Sequence, residues 1–191
     1  MSRFKNKLFV FDYIITQLVE WKAKGNRTVK DVLKDLSFVP LMKCHYSLCL
    51  LSVRMQEKES LFDLFDNFRA YPKGPVEEDC YYNMNKLPNY QMGKDELGKS
   101  VLVPRQEKNP LYSSDEDVEK YIQMVNRAMS ILKGAKNFPE FSDRNNLIDL
   151  THMNLWRDAF EDRTGKQLLR TQPSNIDKVR MEARTFINLI S

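Results

Sequence analysis

Five side chains in this 191-residue sequence have the chemistry to hold a soft metal ion or to form a nucleophile–base pair: Cys44, Cys49, Cys80, His45 and His152. A zinc-type site needs three or four of them converging on one point. On a helix, five residues at 100° each turn Cys49 about 140° away from Cys44, so these two thiols diverge, and the adjacent Cys44 and His45 diverge as well. Their apolar context predicts small core residues and a hydrogen-bonded core histidine, with no metal. Cys80 with His152 is the pairing between separate segments that the chain order permits for thiol catalysis. Neither residue stands in a nucleophile elbow or a protease signature. Glycine-rich phosphate-binding loops are lacking, so no nucleotide cofactor is expected. The run Glu77-Glu78-Asp79 fits the positive end of a helix dipole better than acid–base chemistry. The sequence therefore reads as a non-enzyme, with no catalytic, cofactor or metal residue expected.

Basic residues recur at Lys22, Lys24, Arg27, Lys30 and Lys34, and again at Lys178, Arg180 and Arg184. A recognition helix would place such residues on one exposed face behind a supporting helix. Here they alternate with Asp31, Asp35, Asp177 and Glu182, the pattern of a solvated face, which argues against a nucleic-acid partner. The balance of 30 basic and 26 acidic residues, net +4, supports only weak attraction to anionic partners. Three cysteines, an odd number, in a chain without a secretory signal predict reduced thiols. The longest apolar run, Leu48 to Val53, is far short of the roughly 20 residues that span a bilayer. A cytoplasmic protein with no membrane association is the expectation.

Aromatic side chains are dense at Phe62, Phe65, Phe68, Tyr71, Tyr81, Tyr82 and Tyr90. Part of this set must be core. Tyrosine and arginine are favoured binding hot spots, so Arg69, Tyr71 and Tyr82 are the candidate partner anchors. Within the set, Gly74-Pro75-Val76 leads into Glu77, Glu78 and Asp79. Gly74 suits an N-cap or a positive φ, Pro75 the first helical position, and the acids the first turn, so a helix start is expected there. His152 and Trp156, four residues apart, share a face if their helix forms. Either the imidazole is a buried, hydrogen-bonded strut under the indole or both meet a partner, and the apolar helical context favours the strut.

The elements that must carry these residues follow from periodicity. Leu8, Phe11, Ile15, Leu18 and Val19 define an amphipathic helix over 7–24, ending near Gly25. Thr28 with Asp31 caps a short second helix. Leu41 to Val53 is apolar on nearly every face and predicts a buried central helix opened by Pro40. Five prolines and glycines between 86 and 113 predict a loop insertion, with a short strand at Val101-Leu102-Val103. Ser114 opens a helix that stops at Gly134. Ser142 caps the next, carrying Leu147, Ile148, Thr151, Leu155 and Ala159 inward, and a turn follows at Thr164-Gly165. Ser174 caps a last helix striped by Ile176, Val179, Ala183, Phe186, Ile187 and Ile190. The fold class is mainly α: a compact single domain over 1–191 with a long loop insertion and at most a short strand or hairpin.

Three blocks occur in order: Pro40-Leu41-Met42-Lys43-Cys44-His45-Tyr46, the Phe-rich approach to Gly74-Pro75-Val76, and Leu147-Ile148-Asp149-Leu150-Thr151-His152 with Trp156 downstream. Together, over about residues 8 to 187, they resemble the Panacea (SocA-like) antitoxin domain, which also occurs in phage-associated proteins. Where that family's first block has lysine-leucine-leucine-tyrosine, this chain has Lys43-Cys44-His45-Tyr46. The resemblance implies an antitoxin of a toxin–antitoxin or phage-defence locus that neutralises a cognate protein toxin by direct binding. It needs no cofactor and no small-molecule substrate. The alternative is an adaptor of a phage-related locus that delivers a partner to a protease or another machine.

Overall fold

The computed structural model describes residues 3–24, 26–54, 57, 59–107, 116–161 and 176–191. These residues are mainly helical: α1 Arg3–Lys22, α2 Val29–Asp35, α3 Phe38–Ser52, α4 Glu78–Tyr82, α5 Glu116–Gly134, α6 Arg144–Thr151, α7 Asn154–Glu161 and α8 Ile176–Ile190. Two antiparallel hairpins interrupt them, β1 Phe68–Tyr71 with β2 Gly74–Glu77, and β3 Tyr90–Lys94 with β4 Ser100–Pro104. None of the described helices is long and apolar enough to cross a membrane.

The central helix is α3. Every residue from Pro40 to Ser52 is buried, as a helix apolar on all faces requires, and α5, α6, α8 and β2 pack around it. Ser37 is its N-cap residue, so Pro40 stands in the first turn, where its missing N–H breaks no helical bond. The expected capping box at Thr28 and Asp31 forms in full. α1 starts four residues earlier than its apolar stripe suggested and buries Leu8, Phe11, Ile15 and Leu18, but also Lys7 and Asp12.

Three expectations need correction. Gly74-Pro75-Val76 does not open a helix. It is strand β2, paired Phe68↔Glu77, Arg69↔Val76, Ala70↔Pro75 and Tyr71↔Gly74. The Glu78 N–H donates to the Asn67 carbonyl at 3.1 Å. By alternation the 69/76 and 71/74 pairs exchange bonds, while Ala70 and Pro75 turn their main-chain groups outward. Proline is tolerated at such an outward position. Gly74 does take a positive φ, +95°. The helix begins at Glu78 instead, with Glu77 as N-cap accepting from the Cys80 N–H at 2.8 Å.

The 86–113 segment is more than a loop. It contains the β3–β4 hairpin, whose second strand extends the expected Val101-Leu102-Val103. The third correction concerns the helix expected from Ser142, which is two helices. Asp143, not Ser142, caps α6, accepting from the Asn146 N–H at 3.3 Å. The chain breaks at His152 and Met153 and restarts as α7, where the Leu155 N–H donates to Glu182 Oε2 at 2.7 Å. A buried carboxylate on α8 thus supplies an acceptor for one of the orphan donors at the new helix start. Caps expected at Ser114 and Ser174, and the turn at Thr164-Gly165, lie outside the described residues.

Candidate functional site

The three blocks that lie far apart in sequence meet in space, and Lys43 is their hinge point. It projects from α3 with 1% of its surface exposed, and its Nζ donates to the outward carbonyl of Pro75 at 2.8 Å. A Cβ placed on Gly74 would lie 2.7 Å from Lys43 Nζ and 3.1 Å from Thr151 Oγ1 of α6. Gly74 therefore answers two demands, a left-handed backbone and a close approach by two side chains. No carboxylate pairs with Lys43 among the described residues, and burial pushes its ammonium down to about 7.

Beside this junction His152 and Trp156 stack with ring centroids 3.7 Å apart and planes 3° from parallel, and Trp156 stacks on Phe160 at 4.8 Å. The indole Nε1 donates to the Tyr71 carbonyl at 2.9 Å, tying α7 to the tip of the β1–β2 hairpin. The rings stack, but the buried, hydrogen-bonded imidazole expected of this pair does not form: His152 is half-buried, its Nε2 has no hydrogen-bond partner among the described residues, and the hydrogen bond belongs to the indole. Burial, with the nearby Lys43 charge, lowers the His152 pKa. The stack survives the break between α6 and α7 because spacing of four residues still brings the rings face to face.

Arg69, Tyr71 and Tyr82 converge around one carboxylate. Arg69 Nε lies 3.4 Å from Glu78 Oε2, the Tyr71 hydroxyl donates to Glu78 Oε1 at 2.9 Å, and the Tyr71 and Tyr82 hydroxyl oxygens are 2.9 Å apart. Hydrogen bonding to Tyr82, followed by burial and Glu78, raises the Tyr71 phenol well above its usual value. Tyr82 is 67% exposed and packs edge-on against Tyr81 at 5.1 Å. Val76 is buried and faces the core.

Of two groups of buried polar side chains, the first, around Lys7, escaped the sequence reading and the second differs from it. Lys7, 3% exposed, meets Asp66 at 2.6 Å and Glu77 at 2.7 Å and also bonds Asp79. The three carboxylates offer ligand atoms within 4.8 Å of one another, a spacing that would suit a metal ion, but the Lys7 ammonium sits among them as the cation. Burial opposes that charge, and the Glu77 carboxylate leads the contacts that raise Lys7 well above the usual lysine value. The second group is His45. It is fully buried between Phe11, Phe65 and Phe68, at 4.9, 4.2 and 5.4 Å between ring centroids. Neither nitrogen has a hydrogen-bond partner among the described residues, so the hydrogen-bonded core histidine expected from the sequence is not what forms. Burial, then the Lys7 charge, lowers its pKa to about 3, which keeps it neutral.

The thiols of Cys44, Cys49 and Cys80 are free and buried. Burial pushes all three up, so the thiolate that nucleophilic chemistry needs is suppressed at each. No family model, curated protein or solved structure matches this chain.

Proposed function

We propose that this protein is an antitoxin that neutralises a cognate protein toxin by direct binding, acting by occupancy without turnover. The observation that carries this reading is the aromatic face at the β1–β2 tip. Arg69 and Tyr71 are tied to Glu78, Tyr82 is tied to Tyr71, and Trp156 holds the same hairpin from α7. Side chains locked by mutual hydrogen bonds lose less freedom on association, and an exposed tyrosine held by a half-buried one, as Tyr82 is by Tyr71, makes an efficient anchor. The convergence of Lys43, Gly74-Pro75 and Thr151 supports the Panacea resemblance, since it gives the three sequence blocks one shared structural purpose. That purpose is to fix the hairpin that presents the anchors.

The test is co-expression with the product of the adjacent gene. Growth should be restored and the two proteins should co-purify without added nucleotide or metal. Truncating Arg69, Tyr71 or Tyr82 to Ala should cost roughly 1–3 kcal/mol of affinity each with the melting temperature nearly unchanged. Charge reversal at Lys22, Lys24 and Arg27 should alter mainly salt dependence and on-rate. Rescue without a complex at micromolar concentrations, or protease-dependent loss of the toxin, would replace neutralisation by masking with delivery of the partner to another machine.

A further inference from the structure

The β3–β4 hairpin presents an unfilled strand position. At its turn the Asp95 N–H donates to the Lys99 carbonyl at 2.9 Å, and at its open end the Arg105 N–H donates to the Asn89 carbonyl at 2.8 Å. Antiparallel ladders alternate, so with the register Gln91↔Val103, Met92↔Leu102 and Gly93↔Val101, the 91/103 and 93/101 pairs exchange bonds. The main-chain groups of Met92 on β3, and of Ser100, Leu102 and Pro104 on β4, point away from the ladder. On the β3 side the outward Met92 N–H is taken up by Asn85 Oδ1 at 3.1 Å. On the β4 side no described residue answers. The N–H and carbonyl of Leu102, a residue only 4% exposed, make no outward hydrogen bond among the described residues. A main-chain pair this buried is costly to leave unmade.

A groove of about 460 Å3 runs along that edge. Four consecutive β4 residues, Val101 to Pro104, form one wall, and Lys30, Leu33 and Lys34 of α2 form the other. Neighbouring β4 residues point to opposite sheet faces, so a wall containing all four is an edge and not a face. The carboxylates beside the groove are committed: Asp31 to the Thr28 capping box, Asp95 to the Leu97 and Lys99 amides of the turn, and Glu96 to Lys30 at 3.3 Å. Lys34 and Lys94 make no ion pair among the described residues, and Lys94 reaches only Ser100 Oγ at 3.3 Å. Leu97 at the groove's end is 78% exposed.

We propose that the free edge of β4 takes an extended segment of a protein partner as an added strand, one in which carboxylates alternate with β-branched apolar residues. The main-chain edge supplies the pairing. The half-buried Val101 and Val103 take the apolar side chains, and Lys34 and Lys94 take the carboxylates. This surface is separate from the aromatic face of Tyr71 and Tyr82 and does not depend on the antitoxin reading.

The experiment is titration of the full chain with an acetylated, amidated hexapeptide of alternating Glu and Val. Calorimetry reads affinity and amide hydrogen exchange reads the Leu102 N–H. The expected result is saturable binding with protection of Leu102, against little change at Val101, which is already bonded in the ladder. Lys34→Glu with Lys94→Glu should weaken binding at least tenfold. Ser100→Pro removes an outward N–H without touching a ladder bond, so it should weaken binding while the melting temperature holds. Tyr82→Ala should leave peptide binding unchanged. The proposal is overturned by no binding at millimolar peptide, by equal binding of the Lys/Val counterpart, or by equal binding of a peptide N-methylated at alternate residues. A concentration-dependent homodimer that consumes the β4 edge would overturn it as well, by making a second copy the occupant.

Discussion

Lys43 Nζ lies 2.8 Å from the Pro75 carbonyl oxygen, a lysine 1% exposed and held by a main-chain acceptor, with no carboxylate beside it among the described residues. The contact joins the central helix to the hairpin at the position where proline has no N–H to offer the ladder. It also sets a pH dependence. Burial lowers the folded value to about 7 from 10.5, so between those values the unfolded chain binds a proton that the folded chain does not. Stability therefore rises with pH across that window and is fully gained above it. His152, whose pKa is lowered by burial and by Lys43, acts in the same sense at lower pH. Lys7, raised in the folded state, acts in the opposite sense, and only above the ordinary lysine value. Urea unfolding of Lys43→Met should show a flatter profile between pH 7 and 10, and the variant should be the more stable of the two near pH 6, by about 2–4 kcal/mol. Parallel profiles for wild type and variant would show that Lys43 keeps its proton throughout.

Gly74 and Gly98 form a natural comparison. Both take positive φ, +95° and +73°, but a Cβ at Gly98 would meet nothing within 4 Å, whereas one at Gly74 meets Lys43 Nζ and Thr151 Oγ1. Gly98→Ala should cost only the backbone strain, roughly 1 kcal/mol, and Gly74→Ala should cost about 1–3 kcal/mol more by displacing the Lys43 contact. Thermal melts of the two single variants measure the difference. If the costs are equal, the close approach at Gly74 contributes nothing and strain alone explains the glycine.

These contacts mark how far the sequence could be read. Periodicity located α1, α3, α5 and α8 because each spends a long apolar stripe, or an entire surface, on the core. The Thr28 capping box was readable because both partners lie within one turn. The hairpin at Gly74 was misread because proline followed by acids is a local helix signal. The competing ladder with Phe68–Tyr71, and the Lys43 contact that uses the Pro75 carbonyl, are long-range. The acceptor that serves the restart of the helix after His152 is Glu182, far along the chain, and nothing near Met153 announces it. Lys7 did carry a signal: it shares the helical face of Phe11, Ile14 and Leu18, so its burial, though not its three partners, was there to see. Arg69, Tyr71 and Tyr82 were grouped by residue type, but only the fold brings Arg69 and Tyr71 onto Glu78 and Tyr82 onto Tyr71.

His45 occupies a box of Phe11, Phe65 and Phe68 with both ring nitrogens unpaired among the described residues. An unpaired buried polar group costs about 1–3 kcal/mol, and an apolar residue of similar shape removes the cost. His45→Leu should raise stability by about 1–2 kcal/mol at neutral pH. The gain should grow in acid. With a folded value of about 3 against an ordinary 6.5, the wild-type histidine loses stability as pH falls from 6.5 toward 3, and the leucine variant does not. Unfolding curves at pH 7 and pH 5 check both statements. A destabilised variant at both values would mean that the imidazole holds a partner, such as an ordered water.

Lys7 completes the buried charge set, with Asp66, Glu77 and Asp79 gathered on one ammonium and Glu77 fully enclosed. Removing one partner of a buried ionic group costs far more than the group contributes as a whole, because the charges left behind lose their compensation. Lys7→Met should therefore destabilise by roughly 3–5 kcal/mol and loosen the junction between α1 and α4. The carboxylate oxygens it leaves lie within 4.8 Å of one another, a spacing that a hard divalent cation can bridge. Millimolar calcium should accordingly raise the melting temperature of Lys7→Met and leave wild type unmoved, since the ammonium already fills the position in the native protein. A double variant, Lys7→Met with Glu77→Gln, should recover part of the lost stability without calcium and respond to it less. If Lys7→Met melts like wild type, the cluster is open to water and its charges need no internal cation.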